Sequence, residues 1–297
     1  MRIGLGTAQF GLDYGISNRS GRVTPDEGRR ILALAATAGV RVIDTAAAYG
    51  DAEARLGRWL AKDHPFSIVT KLSRPSSEPS SGPPATSTAG GVVDALHRSL
   101  ERLRTTRVHG LLAHDPADLL GPDGGELWRA METLRDAGAV DRIGASVYSA
   151  REIDALLERY PLELVQVPLN VLDQRLVRSG HLAQLKAAGV EVHARSAFLQ
   201  GLLLMDPAGH TDRHFDPARG AIGAFQSAAR ATGRSPLQAA VAYALSVPEV
   251  DVAVFGVTRA DELAEILSAE ATPLPQDWFA PFALEDERIL NPSMWPR

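Results

Sequence analysis

Apolar positions in this chain fall into short runs separated by amphipathic stretches, and the spacing predicts two kinds of element in strict alternation. The runs at 3–5, 42–45, 67–71, 110–114, 142–146, 164–168, 192–196 and 252–256 are short and rich in Val, Ile and Leu, as strands buried on both faces are. Between them apolar residues recur at helical spacing over 25–38, 51–62, 91–103, 124–137, 150–159, 179–188, 236–247 and 259–269. The boundaries carry their own chemistry. Thr24-Pro25-Asp26-Glu27 offers an N-cap, a proline at N1 and a capping-box Glu at N3, and the helix it opens stops at Gly39. Ser149-Ala150-Arg151-Glu152 and Ser235-Pro236-Leu237-Gln238 are further capping boxes, and Thr258-Arg259-Ala260-Asp261 is a looser one.

Eight strands alternating with eight helices predict an α/β protein, a (β/α)8 TIM barrel forming a single domain over 1–297. A doubly wound sheet of six strands would leave two units without a place. Two inserts interrupt the rhythm. Residues 73–90 are rich in Ser, Pro, Gly and Thr and read as a flexible loop or a lid. Residues 197–235 form a long connection with an extra helix near 218–231. The tail, 271–297, holds Trp278, Phe279, Phe282 and Trp295 without a clear period, and suits either a pocket cover or packing on the outside of the barrel.

Composition narrows the function. A net charge of −5 gives no reason to expect nucleic acid or an anionic membrane as partner. No apolar stretch approaches the roughly 20 residues of a bilayer span, and the start lacks a signal peptide's pattern, so a cytoplasmic protein is expected. Cysteine is absent, which removes disulfides and thiolate chemistry. Lys occurs only at 62, 71 and 186 against 28 Arg. Lys62 and Lys186 lie on polar helix ends, whereas Lys71 closes an apolar strand. A compact ammonium at a strand end reads as a tunable functional charge or as a snorkelling side chain.

In such a barrel the C-terminal strand ends share one face, and that face carries the site. Asp44, Lys71 and His114 each end an apolar run, and Tyr49 follows Asp44 by five residues. A phenol with an ordinary pKa near 10 donates poorly at neutral pH, but a neighbouring ammonium favours the phenolate and a carboxylate keeps that ammonium in place. His114 is placed to orient a substrate oxygen or share its proton. The set suits protonation of an oxygen becoming an alkoxide, as after hydride addition to a carbonyl. The hydride must come from a cofactor, because no side chain supplies one.

Along nearly its whole length the chain resembles an aldo-keto reductase. Ile43-Asp44-Thr45-Ala46 through Tyr49-Gly50, then Glu53 and Leu56-Gly57, is similar to that family's most specific signature, and Val69-Thr70-Lys71 and Leu111-Leu112-Ala113-His114 match its lysine and histidine segments. The resemblance implies a tetrad of Asp44, Tyr49, Lys71 and His114 with Tyr49 as general acid, and a nicotinamide cofactor, usually NADPH, across the C-terminal rim. It implies that Ser146 and Gln166 hold the carboxamide and that the 196–201 loop, with Ser196, Phe198, Leu199 and Gly201, wraps the pyrophosphate. Gly256, Thr258 and Arg259 would hold the adenosine phosphate, and Gly6 and Thr7 complete the cofactor set. The opening segment from Gly4 to Gly15 and the ending Asn291-Pro292-Ser293-Met294-Trp295 resemble bacterial members of sugar and secondary-metabolite pathways. Gln9, Phe10 and Tyr14 of the opening segment are the candidate substrate contacts.

The chain also departs from the pattern. Val147 stands where Asn is common, Arg195 where an aromatic ring usually stacks on the nicotinamide, and Glu262 and Ile266 where a basic or amide residue and an Asn are frequent. The usual N-terminal hairpin is missing. With Glu262 one turn beyond Arg259 and solvated, Arg259 is expected to outweigh it, so NADP(H) is favoured over NAD(H) by a modest margin. Two other functions remain open: a Schiff-base aldolase-type barrel using Lys71, and a cofactor-binding regulatory subunit without turnover. Weaker motifs carry little. Gly4-x-Gly6 with Gly11 opens no helix and is not a dinucleotide fingerprint. His210 and His214, with Asp212 and Asp216, sit in a polar loop and are read as solvated, so no metal is expected. His109 and Asp115 read as structural.

Overall fold

The computed structural model describes residues 2–72, 89–209, 212–269 and 274–296. Eight parallel strands close on themselves in sequence order: β1 Ile3–Gly6, β2 Val42–Asp44, β3 Ser67–Leu72, β4 Val108–Ala113, β5 Val140–Ser146, β6 Leu164–Pro168, β7 Glu191–Arg195 and β8 Val252–Gly256. The ring shuts where β1 pairs with β8, Ile3 opposite Ala253 and Gly6 opposite Gly256. Each strand is followed by one outer helix: α1 Pro25–Thr37, α2 Ala52–Trp59, α3 Ala89–Leu103, α4 Gly124–Asp136, α5 Ala150–Leu157, α6 His181–Ala187, α7 Pro236–Ser246 and α8 Ala260–Ala269. The expected (β/α)8 barrel is therefore the fold.

Local chemistry sets the boundaries. Thr24 Oγ1 accepts from Glu27 N, Pro25 takes N1, and Gly39 turns the chain out of α1 with φ +84°. The capping boxes at Ser149–Glu152 and Ser235–Gln238 are both formed. Strand β4 stops at Ala113, one residue before the expected end, yet His114 N donates to Leu72 O at 3.1 Å and prolongs the ladder to the rim. Of the loop expected over 73–90, residues 73–88 lie outside the described residues, and the rest opens α3. The extra helix runs Asp216–Ala231.

The barrel interior is apolar. Val42, Val69, Leu112, Leu164, Val252 and Val254 pack together inside it, and a β-carbon at Gly110 would come within 2.6 Å of Leu164 Cδ2, so only glycine keeps that layer closed. The larger cluster lies between strands and helices. The aromatic tail packs outside: Trp278 and Phe282 meet Phe225 of the extra helix, and Phe279 meets Tyr243 of α7. Of the tail's described residues, Pro292 and Ser293 reach the rim cleft.

At the N-terminal ends of the strands Glu191 binds His193 Nε2 at 2.8 Å, His109 Nε2 at 3.1 Å and Arg142 Nε at 2.8 Å. Burial pushes the Glu191 carboxyl up, but the bonds from His109 and His193 hold it well below its usual value, and the bond to Glu191 raises His109. The signs differ. The Glu191 contribution is complete above its ordinary value of 4.5 and fades as pH falls; the His109 contribution is complete below 6.5 and fades as pH rises. Glu191→Gln should therefore lower stability by about 1.5–3 kcal/mol, most strongly between those two values, with the deficit shrinking on either side. Denaturant melts of both proteins at several pH values would check it; a deficit independent of pH would show that these charges are not coupled to folding.

Candidate active site

Strand ends position the four chemistry-bearing side chains. Asp44 closes β2, Lys71 lies one residue before the end of β3, and His114 follows β4. Lys71 is only 1% exposed and donates to both Asp44 oxygens, at 2.7 and 2.8 Å, and to Thr45 O at 3.0 Å. Its fourth neighbour is the Tyr49 hydroxyl, 3.5 Å from Nζ. The Tyr49 and His114 rings meet edge to face with centroids 5.8 Å apart. Carboxylate, ammonium, phenol and imidazole thus form one cluster at the inner end of an open cleft.

Burial governs its electrostatics. It pulls the Lys71 ammonium down, while the Asp44 carboxylate pushes it back up. Burial and the Asp44 charge push the Tyr49 phenol well above its usual value, so it is protonated at neutral pH. His114 is pulled down to about 4 by burial, with Lys71 and Arg195 adding to the effect, so its imidazole is neutral. Desolvation outweighs the lowering by the Arg195 charge, and the anticipated lowering by Lys71 does not contribute.

The cleft has a volume of about 690 Å³, within the range of about 300–1,000 Å³ usual for small-molecule and cofactor sites. It is lined by Asp44, Tyr49, His114, Ser146 and Gln166 near the cluster, by Gly6, Thr7, Gln9 and Tyr14 from the β1 end, and by Arg195, Ser196, Phe198 and Gly201 after β7. Gly256, Thr258, Arg259 and Glu262 line its far end. Three anticipated residues do not reach it. Lys71 sits behind Tyr49. Phe10 is fully buried against Trp59, centroids 5.5 Å apart, because the short helix Ala8–Gly11 turns its ring into the core. The Leu199 side chain is likewise buried, leaving only its backbone near the loop.

Several partners were not visible in the sequence. Gln166 Nε2 donates to Asp44 Oδ1 at 2.7 Å, so the amide's other end is set, and Gln166 Oε1 is buried without a hydrogen-bond partner among the described residues. Thr7 spends both its N–H and its hydroxyl on Asp44 O. Glu53, buried, ties α2 to Thr70 Oγ1 at 2.6 Å and to Arg102 of α3, so its role is architectural. Arg195 lies over the Tyr148 ring at 4.2 Å and donates to Ser146 Oγ, Ser196 Oγ and Val147 O. Its guanidinium is already stacked on a tyrosine that the sequence did not single out.

The loop after β7 is strained. Ser196, Leu199, Gln200 and Gly201 all have positive φ, of 62°, 48°, 55° and 90°; three of them are not glycine, and such conformations cost of order 1–3 kcal/mol each. The loop from β1 meets it, with Gly15 and Ser17 close to Gln200 and Gly201. The Gln9 amide packs against Gly256, where a β-carbon would come within 2.6 Å of Gln9 Oε1, itself buried without a partner among the described residues. Backbone bent at a cost, and unpaired amide oxygens on Gln166 and Gln9, fit a polar ligand lying along this groove.

At the far end the expectation for Glu262 is corrected. Its carboxylate is not solvated a turn away: it accepts from Thr258 N at 2.7 Å, from Thr258 Oγ1 at 3.1 Å and from Arg259 N at 3.3 Å. Arg259 is exposed. Elsewhere His214 Nε2 bonds Arg288 O at 2.9 Å, His210 lies outside the described residues, and no group of three or more metal-ligating side chains occurs among the described residues. No described helix is long and apolar enough to cross a membrane.

Comparison with known proteins agrees with this arrangement. Residues 2–283 match the profile of the aldo/keto reductase family. An aldo-keto reductase of Mycolicibacterium vanbaalenii is 31% identical over 206 residues, which is 63% of this chain and 64% of that one. An uncharacterised oxidoreductase of Bacillus subtilis is 25% identical over 93% of this chain and 89% of its own length. Among solved structures, an aldo-keto reductase of Bacillus halodurans in its holo form superposes with TM-score 0.76 at 22% identity, covering 95% of this chain and 92% of that one. A glycerol dehydrogenase of Gluconobacter oxydans gives TM-score 0.74 at 23% identity, covering 100% and 93%. These structural likenesses concern the fold.

Proposed function

Because the chain belongs to the aldo/keto reductase family, an oxidoreductase family served by nicotinamide cofactors, we propose that it reduces the carbonyl of a small aldehyde or ketone to an alcohol, with Tyr49 as general acid. One observation carries the reading: a buried ammonium locked by Asp44 stands 3.5 Å behind a protonated phenol that faces an open cleft. When bound, the nicotinamide supplies the hydride. The side chains do the rest. Gln166 Oε1 and Ser146 Oγ offer acceptors for the carboxamide, and the bent 196–201 backbone would hold the pyrophosphate. The substrate oxygen sits between Tyr49 and the neutral His114; as negative charge grows on it, the Tyr49 proton crosses to it and Lys71 stabilises the phenolate left behind.

The Schiff-base reading of Lys71 fits this geometry poorly. Its ammonium is held by both Asp44 oxygens and Thr45 O, and the side chain lies behind Tyr49, outside the cleft lining. A carbonyl panel, sugars included, should show cofactor oxidation that requires substrate, with deuterium moving from the nicotinamide C4 to the product carbinol carbon. A panel that leaves bound cofactor reduced would support a regulatory subunit instead, and a borohydride-trapped adduct on Lys71 would support the aldolase. The preference for NADP(H) rested on Arg259 prevailing over a distant Glu262, and the observed position of Glu262 reopens that choice.

A further inference from the structure

The cleft runs from Tyr49 and His114 to an end formed by Thr258, Arg259, Glu262, Ile266 and Leu237. A dinucleotide with its nicotinamide at the cluster places its adenosine there, against the apolar Ile266 and Leu237. Phosphate at a helix start is usually held by the unpaired N–H groups of the first turn. Here three backbone donors at the helix start are taken. Thr258 N and Arg259 N donate to Glu262, and Ala260 N donates to Glu27 Oε1 at 2.6 Å, a carboxylate delivered by α1. The Thr258 hydroxyl is within 3.1 Å of both Glu262 oxygens.

We propose that Glu262, backed by Glu27, makes this enzyme select the nicotinamide cofactor without a 2′-phosphate, NADH over NADPH. The inference rests on the nicotinamide-dependent reading above and concerns only the adenosine end. A 2′-phosphate would have to displace a carboxylate held by three donor groups and then lie beside the negative charge of Glu262, which lines the cleft. A ribose 2′-hydroxyl is a donor and finds in Glu262 the acceptor it needs, as an acidic residue serves the ribose in other dinucleotide sites. Two cations stand at this end among the described residues: Arg259, and Arg30, whose Nη1 lies 3.1 Å from Glu27 Oε2. Both are exposed, and an exposed ion pair contributes little.

The test is equilibrium binding of NADH and of NADPH to the full chain, followed by quenching of intrinsic tryptophan fluorescence, with competition by 5′-AMP and by 2′,5′-ADP. Wild-type protein should bind NADH at least about tenfold more tightly, and 5′-AMP should compete better than 2′,5′-ADP. Glu262→Gln keeps an oxygen to cap Thr258 N while removing the charge, and should bring the two constants within about threefold by tightening NADPH. NADPH binding as tightly as NADH to the wild type, or an unchanged ratio in Glu262→Gln, overturns the proposal while the reductase reading stands. Failure of both cofactors to bind overturns both. Should Glu262→Gln not fold, the wild-type constants and the nucleotide competition decide alone.

Discussion

Tyr49→Phe should lower turnover by at least about a hundredfold, the effect of losing a positioned proton donor, while cofactor dissociation constants change by less than about twofold. The ring stays: its edge contact with His114 and its place beside the Lys71 ammonium, 5.1 Å from the ring centre, need no hydroxyl. Only the proton is lost. No other group in the cluster replaces it: His114 is pulled down to about 4 and is neutral at neutral pH, and the Lys71 ammonium is held back by Asp44 and Thr45, outside the cleft lining. The same argument fixes the pH profile. Reduction should run level through pH 6.5, where a free imidazole titrates, and decline only as alkali removes the raised phenol proton. Turnover and binding measured on the variant decide the matter, and near-normal turnover would remove Tyr49 as the acid.

The largest expected effect on stability lies at Lys71. Lys71→Met strands the buried Asp44 carboxylate and should cost about 3–5 kcal/mol, the usual consequence of breaking a buried ion pair from one side. Asp44→Asn strands the ammonium instead. Burial then acts on Lys71 without its counterion, so its folded value drops further below the ordinary 10.5. The folded form then binds fewer protons than the unfolded one, and the deficit of Asp44→Asn should shrink as pH rises toward that value. The double variant Asp44→Asn with Lys71→Met should recover much of the stability and none of the activity. Lys71→Arg should also be inactive, because a planar fork cannot occupy the space of a point charge held by three oxygens. Chemical denaturation paired with turnover separates the two effects; wild-type rates in Lys71→Arg would sink the charge chain.

The barrel was legible because its determinants are local. Periodicity, caps such as Thr24 and Ser149, and glycine stops such as Gly39 act within a few residues, so strand and helix limits shift by one to three residues, most at the end of α2, expected at 62 and found at Trp59. The sequence also placed Asp44, Lys71 and His114 on one rim, since strand ends of a parallel barrel must converge. Phe10 was misjudged as a substrate contact because a four-residue helix, invisible to periodicity, turns it inward.

What the chain alone determined, then, is the order of elements and the kinds of charge at their ends. Tertiary structure decided how those charges are spent. Gln166 reaches Asp44 across 122 positions of sequence, Arg195 is stacked on Tyr148, and Glu27 and Glu262 meet at one helix start. Such long-range pairings follow from barrel closure and side-chain direction, which no local spacing encodes. Desolvation has the same origin. The phenol that an adjacent ammonium was expected to lower is raised, because burial depends on everything packed around Tyr49 and not on its neighbours in sequence.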